Sequence, residues 1–176
     1  MKRSVHRIVP QHGASLIVVL ILLLLMTLLG LAVLRTTTLE ERMSANLYDR
    51  SLGFQAAESA LRQGEALANA TAVSSVPSSG CANGVCGTPV AADPDRWLDT
   101  SFNGWRTAAN NLAEDTIPTP NARYIIEYMG EAPTWPGCDR KFPLDGQCLA
   151  PRFRITAIAN AEGRATVMLQ TNYIVQ

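Results

Sequence analysis

Apolar residues run without a charge from Ala14 to Leu34, between a basic leader and Arg35. At a rise of about 1.5 Å per helical residue the run reaches roughly 30 Å, the thickness of a bilayer's hydrocarbon core. No Gly or Pro follows Arg35 until Gly53, so nothing stops the helix at the membrane boundary. Beyond it, Leu39, Met43, Leu47, Phe54, Ala57, Leu61 and Ala68 recur at steps of three, four or seven, a helical stripe. Glu41, Arg42, Asp49, Arg50, Glu58, Arg62 and Glu65 occupy the opposite side. The pattern predicts a single helix of about 55 residues, from Ala14 to about Ala68, apolar all round in its first half and amphipathic in its second. The stripe is expected to pack on a sheet.

The period then changes. Thr71 to Pro94 is rich in Ser, Pro, Gly, Ala and Asn and reads as a loop. Asp93-Pro94-Asp95 has the form of a helix start, with an acidic cap before a proline. It predicts a short helix or irregular packing from Trp97 to about Leu112. Three strand signals follow. Tyr124 to Met129 is β-branched and aromatic and is expected to end at Gly130. Phe153, Ile155, Ala157 and Ala159 alternate with polar residues, and after an Ala161-Glu162-Gly163 turn Ala165, Val167, Leu169, Thr171, Tyr173 and Val175 alternate again. These make an antiparallel meander. The loop between its first two strands contains Pro133, Trp135, Pro136 and Pro143 and is the strongest candidate for a partner surface.

Charge and cysteines add topology. Lys2, Arg3 and Arg7 precede the apolar run with no acid among them, which puts the N-terminus in the cytoplasm and the body outside it. Without those three, the 15 basic residues fall to 12 against 15 acidic ones, a balance that does not favour nucleic acid as a partner. Cys81, Cys86, Cys138 and Cys148 all lie on the far side, where an oxidising compartment favours disulfides. Four cysteines allow three pairings, among which the sequence does not choose. The neighbour pairing is favoured because each close pair flanks a Gly-containing loop. Neither spacing matches a four-thiolate zinc site.

Catalytic chemistry finds no foothold. There is no Gly-rich phosphate loop, nucleophile elbow or His-Glu-x-x-His. Both histidines, His6 and His12, lie in the leader. Asp93, Asp95 and Asp99 lack the glycine turn and distal glutamate of a calcium loop and read as caps. Neither an enzyme nor a cofactor is expected. A cleaved secretory signal fits poorly, because the apolar run exceeds the usual 7 to 15 residues and Gly30-Leu31-Ala32 is a poor cleavage site.

A short basic leader that ends in Gly13, followed by Ala14-Ser15-Leu16 and an apolar run, resembles the type IV pilin signal. Arg35 to Asn46, Phe54 to Glu65, Arg152 to Ala157 and Val167 to Tyr173 sharpen the likeness, and over them the chain is similar to the PilX-type minor pilins. The resemblance implies an α+β pilin-like fold, with a long N-terminal helix packed on a small C-terminal antiparallel sheet. It divides the chain into a leader (1–13), a transmembrane half-helix (14–34), an amphipathic half-helix (35–69) and a periplasmic head (70–176). It implies that a prepilin peptidase cuts after Gly13 and methylates Ala14. Most pilins carry a glutamate four residues beyond the methylated one, thought to pair with the terminal ammonium of the neighbouring subunit. Here that position is Val18. An unpartnered carboxylate in the membrane costs several kcal/mol, so its replacement fits a subunit that never docks beneath another. The implied function is non-catalytic: a tip or priming subunit that assembles with other minor pilins and a tip adhesin, in the inner membrane before assembly, supporting adhesion and twitching motility. A type II secretion pseudopilin and a plain membrane-anchored periplasmic protein are the alternatives.

Overall fold

The computed structural model describes residues 14–109 and 121–175. The chain divides into two compact units between Ala45 and Asn46. One helix, α1 (Ala14–Ala70), runs across that division as a single element. In the first unit every large side chain from Leu16 to Leu34 is exposed. That continuous apolar surface belongs in lipid or against other apolar helices rather than in water. Among the described residues α1 is the one helix long and apolar enough to cross a membrane.

The second unit is an α+β domain. Its strands are β1 (Cys81–Ala82), β2 (Val85–Cys86), β3 (Arg106–Thr107), β4 (Asn121–Pro133), β5 (Leu149–Asn160) and β6 (Val167–Ile174). They form a six-stranded sheet in the order β1-β2-β4-β5-β6, with β3 also paired to β4. The expected meander is β4, β5 and β6, all antiparallel, with Tyr124 opposite Ala157 and Ile155 opposite Thr171. The sheet is nevertheless mixed, because β2 joins β4 in parallel.

The helix meets the sheet through small residues. Ala56, Ala57, Ala60, Leu61 and Ala68 are buried against Tyr124, Ile126, Phe153, Ile155, Ala157 and Ala159. Gly64 lies so close that a Cβ there would come within 2.5 Å of Ile155 Cγ2. The expected stripe therefore divides: Ala57, Leu61 and Ala68 are buried, while Leu39, Met43, Leu47 and Phe54 are exposed. A face of Gly and Ala lets the helix backbone approach the sheet, and large side chains on that face would hold it away. Polar contacts fix the packing. The Ala165 N–H donates to Asp49 Oδ2 at 2.7 Å, and Arg164 pairs with Asp49 at 3.3 Å. The Gln63 amide both accepts from Ala109 N–H and donates to Ala109 O.

One other expectation changes. β4 does not stop at Gly130. That residue has φ +83° and sits at a register shift between Tyr128 and Glu131, so it makes a bulge and the strand continues to Pro133. Of the two outcomes expected after Asp93-Pro94-Asp95 the irregular one is found, with no helix but turns, closed by the Leu98 N–H donating to Asp95 O, and then β3. The end of that expected segment, near Leu112, lies outside the described residues.

Candidate functional site

The described residues of interest are those an assembly would use. Gly13 lies outside the described residues, and Ala14 is the first residue of α1. Val18 follows one turn later with 55% of its surface exposed. An uncharged side chain therefore stands where the resemblance leads one to expect a carboxylate.

In the head, Cys81 is bonded to Cys86 and Cys138 to Cys148. The first bridge closes the β1–β2 hairpin, whose Asn83 and Gly84 both have positive φ, at +52° and +84°. Asn-Gly is the residue pair that such a two-residue turn favours. Between the cysteines, that dipeptide was the available signal for a hairpin where a plain loop is expected. The hairpin is docked on β4 by Ile126 N–H donating to Gly84 O at 2.8 Å.

The second bridge ties the base of the loop between β4 and β5. Both sulfurs are buried. Thr134 N–H donates to Cys148 O at 2.8 Å, and Gln147 N–H to Asp145 Oδ1 at 3.0 Å. On this braced frame Phe142 is fully exposed, with Trp135 and Leu144 partly so. Asp145 thus serves as a turn cap.

The least anticipated feature is an ion cluster on the sheet face opposite the helix. Glu127 on β4 is 0% exposed and accepts from Arg96 Nη1 at 2.6 Å and Arg154 Nε at 2.9 Å. Trp97 lies under the Arg154 guanidinium at 4.2 Å, and Trp105 stacks likewise on Arg123 at 5.0 Å. Two cation–π contacts and one shared carboxylate thus fasten the segment before β3 to the sheet. Arg152 donates to Met129 O. Arg152 and Arg154 are therefore both engaged inside the fold. Nothing in the spacing of Arg96, Glu127 and Arg154 announces the cluster, because it joins a loop to two strands.

Beside it lies a cavity of about 530 Å³ lined in part by Asp93, Asp95, Arg96, Asp99, Met129 and Arg154. Its ionisable lining is carboxylate and guanidinium alone, Asp93, Asp95 and Asp99 with Arg96 and Arg154. Asp99 accepts from the Ser101 hydroxyl at 2.6 Å and from its N–H at 2.8 Å, and these bonds hold its carboxyl below the ordinary value of 3.8. Among the described residues no group of three or more His, Cys, Asp or Glu could hold a metal.

Two families match along nearly the whole chain. The family described as PilX N-terminal matches residues 12–62, and that described as type IV pilus assembly protein PilX C-term matches residues 59–175. No curated protein and no solved structure matches. The second match alone covers more than half of the chain, and the pilin-like helix and sheet agree with both. The chain belongs to the PilX family of type IV pilus assembly proteins.

Proposed function

We propose that this chain is a minor pilin that primes pilus assembly and stays at or near the filament tip. Its leader is removed after Gly13, its new terminus at Ala14 is methylated, and its apolar half-helix anchors it in the inner membrane with the head in the periplasm. On assembly the half-helix packs among those of other minor pilins. The head, beneath an adhesin, supports attachment and twitching. The role is structural and non-catalytic.

Val18 carries this reading. A subunit repeated along the shaft has a neighbour below and a neighbour above, and in most pilins the carboxylate at this position is thought to answer the ammonium of the neighbour. A chain with valine there has no ionic partner to offer, and it also escapes the cost of burying an unmatched charge in the bilayer. The exposed Leu, Ile and Val surface of the first unit supports packing by apolar contact instead.

Intact-mass measurement with N-terminal sequencing, on protein purified from host membranes, tests processing. The expected mature chain begins at methylated Ala14. A chain that still carries residues 1–13 would overturn the prepilin reading and leave a plain anchor. Replacing Gly13 with a bulky residue is expected to leave the unassembled precursor.

A further inference from the structure

The sheet is finished differently on its two flanks. On the far side of β4 from β5 lie β2 and β3, and a disulfide-closed hairpin completes that flank. On the far side of β6, no strand pairs among the described residues.

The register shows what this flank presents. In an antiparallel ladder, pairs that exchange hydrogen bonds alternate with pairs that do not. The Val175 N–H donates to Pro151 O at 2.9 Å, and these residues continue a register in which Arg152 faces Ile174. Leu169, Thr171 and Tyr173 therefore bond to β5. Met168, Gln170, Asn172 and Ile174 turn their N–H and C=O groups away from it, a row of four donors and four acceptors.

Natural edge strands are usually blunted by lysine, proline, a bulge or shortness. β6 has eight residues, no charge, no proline and no register shift against β5. Its inner face is also incompletely sealed: Leu169, Thr171 and Tyr173 remain half-buried, while Phe153, Ile155 and Ala157 on β5 are fully buried. One more strand beyond β6 would satisfy the backbone row and extend the cover over the helix–sheet core.

We infer that the free edge of β6 receives an extended, uncharged segment of another pilus assembly protein, which joins the sheet as a further strand. An extended backbone is the partner that matches a row of alternating donors and acceptors. The absence of charge along β6 selects apolar and hydroxyl side chains opposite it. The inference rests on membership of an assembly family and not on placement at the tip.

Hydrogen exchange on the full-length protein in detergent tests it, with the protein first alone and then in the complex that co-purifies from host membranes. Alone, the amides of Met168, Gln170, Asn172 and Ile174 should exchange fast while those of Leu169, Thr171 and Tyr173 exchange slowly. In the complex the fast set should slow by about tenfold or more. Asn172→Pro removes one outward donor and no bond to β5, so the variant should keep its slow amides yet retain about tenfold less partner. A retained complex in which the four amides stay fast overturns strand addition and leaves the assembly reading intact. Protection that grows with the concentration of the purified chain alone would make the occupant a second copy, and overturn the proposed one. Recovery of the chain without any pilus component would sink both readings.

Discussion

Gly64 illustrates how one residue sets a packing distance. In an isolated helix glycine costs about 1 kcal/mol relative to alanine, so the residue reads as a weakness. In the folded head, an added Cβ would meet Ile155 Cγ2 at 2.5 Å and Tyr124 Cδ2 at 3.3 Å, both in the core. Overpacking of this kind costs about 1–3 kcal/mol, enough to cancel the propensity gain and exceed it. Gly64→Ala is therefore expected to lower stability by about 1 kcal/mol, read as a lower denaturant midpoint for the head. A raised midpoint would mean that the helix can shift outward without loss. Asp99 makes a second prediction at this scale. Its folded value is depressed by the two Ser101 bonds. The stabilisation is thus complete above the unfolded value and disappears as pH falls through the folded one. Asp99→Asn should flatten part of the stability loss below about pH 4, measured by unfolding at stepped pH. An unchanged acid slope would show that the turn survives without its carboxylate.

At the scale of elements, what could be read from the sequence was what repeats with a period. The length of α1 and the alternation along β5 and β6 follow from patterns that a single strand or helix carries within itself. The expected stripe holds at Ala57, Leu61 and Ala68 and fails at Leu39, Met43, Leu47 and Phe54, because hydrophobic periodicity weights large side chains and most of this contact is made by small ones, Gly53, Ala56, Ala57, Ala60, Gly64 and Ala68. A stripe of small residues at steps of three and four was the signal that would have found it. The stop expected at Gly130 and the bulge found there share one signal, because a glycine can either end a strand or bend it. The cluster of Arg96, Glu127 and Arg154 was not legible at all, since its members are 31 and 27 residues apart and each looks like a surface charge. It joins the segment before β3 to β4 and β5. Glu127→Gln would leave two guanidiniums, each with 17% of its side chain exposed, without their carboxylate. Removing one member of a buried pair costs about 3–5 kcal/mol, and the partial access to water points to the lower end. Proteolysis should then open the 87–105 segment before it opens β4 or β5. Uniform resistance would mean that the tryptophan contacts suffice to hold it.

For the whole molecule, the question is how many copies an assembly accommodates. A repeated shaft subunit presents complementary surfaces above and below itself, so that every copy buries the same contacts. This chain carries Val18 where most pilins carry a carboxylate, and an uncharged β6 edge at which we infer the addition of a strand from another protein. Under the proposed tip role both features favour few copies, the first by removing an ionic contact along the helix bundle and the second by directing the head to an unlike partner. The expected stoichiometry is about one copy per filament. Quantitative mass spectrometry of sheared pili, divided by filament number from electron microscopy, measures it directly. If the chain primes assembly as proposed, deletion should abolish or sharply reduce piliation despite that low abundance, because priming precedes the shaft. A chain recovered at many copies along the shaft would show that apolar packing around Val18 replaces the ionic contact, and would make this protein a shaft subunit. A deletion that spares pili but blocks protein secretion would move it to another machine built on the same helix.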